Sequence, residues 1–242
     1  MIELRDVHKR LGGRDILKGL TLTIPAGVNY VLMGPSGTGK SVTLKHVIGI
    51  FQPDSGSVHV DGQDVADMDR RQLMALRKRM GYLFQNGALI NWLTVADNVA
   101  LPLKEHSRLP KAEVHDRVME VLEMVGMARA EKQYPPDISG GMKLRAGLAR
   151  ALVTNPEYVL YDEPNAGLDP IISKQIHELI AEVRDRLSVT GLIVTHSRAC
   201  ATQCGDRIGI LQDGKIGIEG TVDEIANSDH ELARAFMGGG TD

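Results

Sequence analysis

The sequence predicts an α/β fold in which a parallel sheet carries helices on both faces and is preceded by antiparallel strands. Three observations predict it. Short apolar strands alternate with amphipathic helices through the second half of the chain. An apolar run, Val31-Leu32-Met33, leads directly into a glycine-rich loop and then into helical residues. The N-terminal stretch instead holds strands of alternating polarity joined by tight turns.

The elements follow in order. Leu20-Thr21-Leu22-Thr23-Ile24 alternates apolar and polar residues before Pro25-Ala26-Gly27 turns the chain. Val58-His59-Val60 ends in Asp61-Gly62, a hairpin-type turn. Short strands of this kind suit an antiparallel sheet with one wet face. Residues 31–33 are uniformly apolar, as a buried central strand requires, and residues 41–49 read as helix. In residues 111–125 the apolar Val114, Val118, Val121, Leu122 and Val125 fall at helical spacing. In residues 173–187, Ile176, Leu179, Ile180, Val183 and Leu187 do the same. Further apolar strands are expected at 158–161, 192–195 and 208–211, and Pro135-Pro136 marks a break. No internal repeat or low-complexity tract interrupts the chain.

The 242 residues suffice for a large buried core, and 43% hydrophobic with 24% charged residues is ordinary for a globular protein. A net charge of -3 argues against a nucleic-acid partner held by a general basic field. Phosphate ligands must therefore be caught by a local site. No apolar run approaches the roughly 18 residues of a membrane span. Met1-Ile2-Glu3-Leu4-Arg5-Asp6 lacks a charged-then-apolar leader, so a cytosolic location is expected. Cys200 and Cys204 are the only cysteines; without a second pair they read as reduced thiols on one helix face rather than a zinc site.

Gly34-Pro35-Ser36-Gly37-Thr38-Gly39-Lys40-Ser41 fits G-x-x-x-x-G-K-[ST] in a strand–loop–helix context. Glycines let successive backbone N–H groups turn inward around phosphate oxygens, and the helix N-terminus adds a favourable dipole. Lys40 is expected to reach the β and γ phosphates, and Ser41 to offer its hydroxyl to Mg²⁺. Tyr158-Val159-Leu160-Tyr161-Asp162-Glu163 delivers two carboxylates to a strand's C-terminal end, where parallel sheets bind ligands. Asp162 suits Mg²⁺, and Glu163 suits a general base acting on water.

Further motifs carry a family resemblance. Ile138-Ser139-Gly140-Gly141-Met142 resembles the LSGGQ signature of ABC ATPases and lies upstream of Asp162-Glu163, as in that family. Gln85 resembles the Q-loop glutamine, Ala166-Gly167-Leu168-Asp169 the D-loop, and His196 the switch histidine. All occur in family order across nearly the whole chain. The resemblance implies a P-loop NTPase with a RecA-like core at residues 1–85 and 155–220, including an N-terminal antiparallel subdomain. It implies a helical subdomain at 86–154 and a C-terminal helix and tail at 221–242. It also implies ATP and Mg²⁺ as ligands, with Gln85 a metal ligand beside Ser41 and Asp162, and a head-to-tail homodimer. There Ser139, Gly140, Gly141, Met142 and Asp169 of one copy serve the nucleotide of the other. Glu163, His196, Gln85 and Lys40 are the expected catalytic set.

Two positions depart from the family. Leu11 stands where an adenine-stacking aromatic is usual, with Ile16 as a second apolar contact, so ATP is expected to bind through its phosphates with a weaker preference for adenine. Met142 replaces the signature glutamine, a side chain the contacts of Ser139 and Gly141 do not need.

Phe84-Gln85-Asn86-Gly87-Ala88-Leu89 and the segment 95–106 resemble the ATPases of Mla and Mce lipid-transport systems, as does ISGGM. That resemblance implies an integral-membrane permease, an Mce-domain partner and a position on the cytoplasmic face of the inner membrane. It also implies that the segment after Gln85 lines the permease-docking groove, while Ile90, Trp92 and Leu93 read equally well as plain core. Another ABC importer, a lipoprotein-release ATPase or a non-transport ABC protein remain alternatives. Gly238-Gly239-Gly240 is expected to form a tail.

Overall fold

The protein is described by a computed structural model covering residues 1–238. Gly239 and Gly240 of the expected tail lie outside the described residues. The chain opens with a long hairpin, β1 (Ile2–Leu11) and β2 (Arg14–Ile24), turning at Gly12-Gly13. These strands are longer than the short ones expected. Their alternation is broken by register shifts between Leu4 and Val7 and between Lys9 and Arg10, which hid their continuity from a strict two-residue period. β3 (Asn29–Met33) is buried at every position and runs into α1 (Lys40–Val47) through the glycine-rich loop. β4 (Ser55–Val60) and β5 (Gln63–Asp64) close the predicted turn, with Asp61 and Gly62 at φ 51° and 78°. α2 (Arg70–Lys78), started by an Asp69–Gln72 capping box, leads to β6 (Met80–Leu83).

Three helices follow: α3 (Val95–His106), α4 (Lys111–Met124) and α5 (Gly140–Leu152). Thereafter strands and helices alternate: β7 (Tyr158–Asp162), α6 (Pro170–Leu187), β8 (Thr190–Thr195), α7 (Arg198–Cys204) and β9 (Arg207–Gln212). β10 (Lys215–Thr221), α8 (Val222–Ala226) and α9 (Glu231–Met237) complete the described chain. α6 begins three residues before its apolar period does. Asp169 caps it, and Pro170, with its φ already fixed, opens the first turn. Cys200 and Cys204 are free, buried thiols one turn apart on α7.

Among the described residues the strands form two sheets, ordered β2-β1-β4-β5 and β10-β9-β3-β8-β7-β6. The second is parallel except for its edge strand β10. Side chains alternate across it. Val31, Met33, Val159, Tyr161 and Ile193 face a core shared with α3 to α7. Tyr30, Leu32, Leu160, Leu192 and Val194 face a second core with α1 and the antiparallel sheet, through Leu44, Val47, Leu4, Leu22 and Val58. The parallel sheet is thus sandwiched, and the C-terminal ends of β3, β7 and β8 emerge on one edge. No helix of the described residues is long and apolar enough to cross a membrane.

Candidate phosphate-binding site

The loop after β3 is shaped by glycines that nothing else could replace. Gly34 has φ 153°, and a Cβ there would stand 2.6 Å from the Leu211 carbonyl oxygen. Gly39 has φ 111° and caps α1 without a side chain, so the first-turn N–H groups of α1 remain open to a ligand. Thr38 Oγ1 braces the loop by donating to Pro35 O at 2.9 Å. Lys40 is only 6% exposed, and its Nζ donates to Gly34 O at 2.7 Å and Pro35 O at 3.0 Å. Its cation is therefore held on the loop itself, at the mouth of the anion cradle.

Residues far apart in sequence converge on this loop. The Ser41 hydroxyl donates to Asp162 Oδ1 at 2.8 Å, and the Tyr82 hydroxyl donates to Asp162 Oδ2 at 3.0 Å. Burial, with the Asp162 charge beside it, pushes the Tyr82 phenol pKa well above its usual value, so the group stays a donor. Glu163 follows at φ 48°, a left-handed conformation that costs a non-glycine residue about 1–3 kcal/mol. That turn aims its carboxylate at His196, whose Nδ1 lies 2.9 Å from Oε2 and whose backbone N–H donates to the same oxygen at 3.3 Å. Lys40 Nζ lies 3.6 Å from Glu163 Oε1. A cavity of about 340 Å³ opens between these groups, lined by Ser36, Gly37, Gly39, Lys40 and Ser41 of the loop, by Gln85, Glu163 and His196, and by Leu11, Ile16 and Val42.

These residues fit a nucleoside triphosphate and a divalent cation. The open N–H groups and Lys40 suit phosphate oxygens. A hydroxyl bonded to a carboxylate is an oxygen donor pair of the kind Mg²⁺ takes, with its remaining ligands left to phosphates and water. No cluster of three or more His, Cys, Asp or Glu residues forms a closed metal cage among the described residues.

The signature segment lies elsewhere. None of Ser139, Gly140, Gly141, Met142 or Asp169 lines the phosphate cavity. Ser139 caps α5, its Oγ accepting from the Met142 N–H at 3.3 Å. Gly141 is pressed against α6, where an added Cβ would stand 2.5 Å from Ile172 Cγ2. Asp169 accepts from the Ile171 and Ile172 N–H groups at 3.0 Å each. Met142 is partly buried and, with Leu168, packs against the main core.

Two sets of residues escaped sequence reasoning. Tyr82 belongs to the carboxylate network, but a tyrosine in an apolar strand reads as core. Arg150 on α5 clamps the turn after Gln85, donating to Gly87 O and Ala88 O at 2.7 Å each. The fit is close: a Cβ on Gly147 would stand 2.8 Å from Gly87 Cα, and one on Gly87 2.4 Å from Lys143 O. The Asn86-Gly87 pair signals a turn, but its partner helix is far off in sequence. Trp92 is 79% exposed, which decides against the core reading for that side chain. Asn98 holds the Ile90–Leu93 backbone, accepting from Ile90 N and donating to Ile90 O and Leu93 O.

Residues 17–166 match the family described as ABC transporter. The chain is 42% identical over 98% of its length to the probable ribonucleotide transport ATP-binding protein mkl of Mycobacterium tuberculosis, of which it spans 66%. It is 39% identical over 99% of its length to the intermembrane phospholipid transport system ATP-binding protein MlaF of Escherichia coli, spanning 89% of that protein. Among solved structures, it matches a dimeric post-hydrolysis state of the ATP-binding cassette MJ0796 bound to ADP and Pi. That match has a TM-score of 0.83 and 33% identity, covering 92% of this chain and 99% of that one. Family match, fold and phosphate site agree, and the chain belongs to the ABC transporter family, with the fold of its ATPase cassette.

Proposed function

We propose that this chain is the ATP-hydrolysing subunit of an ABC transporter that moves phospholipid or another hydrophobic lipid across the bacterial envelope. It works as a head-to-tail homodimer on the cytoplasmic face of the inner membrane, through an integral-membrane permease and an Mce-domain partner. The observation that carries the ATPase reading is the meeting of Ser41–Asp162 and Glu163–His196 at one glycine-rich loop. The reaction is ATP + H₂O to ADP and phosphate. Loop N–H groups and Lys40 hold and neutralise the β and γ phosphates. Ser41, Asp162 and Gln85 would hold Mg²⁺, which supplies further neutralisation of phosphate charge. Glu163 accepts the proton of the attacking water, and His196, held on its carboxylate, faces the same phosphate.

The dimer is supported by an asymmetry within one chain. The phosphate cavity is lined by its own cation and carboxylate, Lys40 and Glu163, whereas Ser139, Gly140, Gly141 and Met142 all lie outside it. A second copy in head-to-tail contact brings the two together. Asp169, at the cap of α6 beside the signature, is placed to relay between the paired sites. The lipid reading rests on the segment after Gln85 and on the likeness to MlaF; the exposed Trp92 in that segment suits a permease-docking surface. The name of the Mycobacterium relative points to a different cargo, so the permease decides the matter.

The test is a mild-detergent pull-down of the tagged chain from its native membranes with mass spectrometry. A permease together with an Mce-domain protein is the expected result. A permease of another class would keep the ATPase and discard the lipid cargo. Ribosomes or DNA-repair proteins without a permease would overturn the transport reading.

A further inference from the structure

Both carboxylate oxygens of Asp162 are taken by hydroxyls. Ser41 Oγ donates to Oδ1 at 2.8 Å, and Tyr82 Oη donates to Oδ2 at 3.0 Å. Ser41 lines the phosphate cavity, whereas Asp162 and Tyr82 do not. The three groups are therefore arranged in depth, with Ser41 in front, Asp162 behind it and Tyr82 behind both.

Strand register builds this arrangement. β6 and β7 run parallel, and Tyr82 stands opposite Leu160. Asp162 lies two residues further along β7, on the same face of the sheet. Tyr82 is partly buried against the second core. Phe84, two residues beyond Tyr82, lays its ring over the phenol, with centroids 4.3 Å apart and planes at 33°. Phe84 is itself 45% exposed, so the stack ends at the surface.

The terminal torsion of an aspartate is broad and roughly two-fold, so one hydroxyl alone leaves the choice of oxygen open. A second hydroxyl on the other oxygen removes that freedom. With Oδ2 held by Tyr82, Oδ1 is the oxygen turned to Ser41. The Ser41 hydrogen is then directed at Asp162, and the lone pairs of its oxygen are left for the cavity. Mg²⁺ demands near-ideal octahedral geometry, so a ligand oxygen oriented in advance holds it more tightly.

We infer that Tyr82 is a positioning residue for the divalent cation: its hydroxyl fixes the plane of Asp162 and, through it, the hydroxyl of Ser41, while the Phe84 ring braces the phenol. The inference rests on the ATPase reading above. Tyr82 acts through Asp162, so its loss is felt at the metal and not by the phosphates held on the loop.

The experiment is calorimetric titration of the full chain with ATP, once with Mg²⁺ and once with EDTA, in a Glu163→Gln background that suppresses turnover. Tyr82→Phe keeps the ring and its stack and removes one oxygen. It should weaken ATP binding with Mg²⁺ by about tenfold, the lower end for losing a group behind a metal ligand. The Kd in EDTA should stay within about twofold of the parent. Phe84→Leu keeps the hydroxyl and removes the brace, and should give a metal-dependent loss of about fivefold. On top of Asp162→Ala, Tyr82→Phe should add no more than about twofold, because its path to the metal is gone. A Tyr82→Phe Kd with Mg²⁺ within about twofold of the parent overturns the inference. So does an equal loss with and without Mg²⁺, which would mark Tyr82 as packing alone. Should Tyr82→Phe fail to fold, Phe84→Leu decides by the same two comparisons. A folded parent that binds no ATP in either condition would remove the ATPase reading as well, whereas equal tightening by Mg²⁺ in the parent and in Tyr82→Phe would remove only this one.

Discussion

Two helices of this chain, α1 and α5, both open at glycine-rich segments and end up in opposite surroundings. α1 opens on Gly39 with no side-chain cap, whereas Ser139 Oγ accepts from the Met142 N–H of α5. The mouth of α1 is crowded with chemistry: Lys40, Ser41, Asp162, Glu163 and His196 meet there. The mouth of α5 has a single hydroxyl, Ser139, and rests on the apolar Leu168 and Ile172. One helix start meets a cation, a hydroxyl and two carboxylates; the other meets an apolar surface. Glycine-rich helix starts thus acquire different surroundings from what the tertiary fold sets beside them.

The largest expected effect tests the α1 side. Glu163→Gln should retain nucleotide binding and lose roughly 10²–10⁴-fold in turnover, read as steady-state phosphate release. Near-normal turnover would remove Glu163 as the base. Lys40→Ala should weaken ATP binding by about a hundredfold or more, because a desolvated charge partner of the phosphates is gone. An unchanged Kd by calorimetry would refute that assignment.

The comparison between the two helix starts is sharpened by mixing variants. Lys40→Ala and Ser139→Arg should each be inactive alone. Random pairing makes about half the dimers mixed, each with one intact composite site, and should restore about a quarter of the parent rate. No recovery on mixing, with dimers shown to exchange, would mean that the two helix starts do not meet across copies.

Smaller effects probe how α5 is held. Arg150→Met removes two charge-assisted hydrogen bonds to Gly87 O and Ala88 O and should lower stability by about 1.5–3 kcal/mol in urea unfolding, with the ATP Kd little changed. Loss of ATP affinity at full stability would show that the clamp instead shapes the phosphate site. The smallest effect lies far from both helices. Arg79 donates to both Glu157 oxygens, at 2.7 and 2.6 Å, and holds that carboxyl below its usual pKa. The stabilisation is complete above the unfolded carboxyl pKa and is lost as pH falls through the depressed folded value. Arg79→Met should therefore cost no more than about 1 kcal/mol at neutral pH, given the exposure of the pair, and the difference should vanish in acid. An equal deficit at all pH values would point to lost packing instead.

The phosphate loop, the helix that follows it and the turn at Asp61-Gly62 were legible in the sequence. Each is fixed by a few consecutive residues whose backbone hydrogen bonds close locally. The long hairpin of β1 and β2 was harder to see because its bulges break the two-residue period. Ser41 and Asp162 are separated by 121 positions and Glu163 and His196 by 33, so family likeness could name them but no spacing could show that they touch. Tyr82 and Arg150 carried no signal of their roles at all.

By itself, then, the sequence determined which groups can bind phosphate, which residues turn and which of the strongly periodic segments are helical, since these follow from short-range backbone geometry and local periodicity. Only the tertiary structure decided which groups meet. The strand order β10-β9-β3-β8-β7-β6 is set by packing two cores against the parallel sheet, and it alone brings the ends of β3, β7 and β8 to one edge. There the carboxylates find the loop and the signature is left facing outward, because contacts across many residues are selected by the burial of the whole sheet and not by any local run.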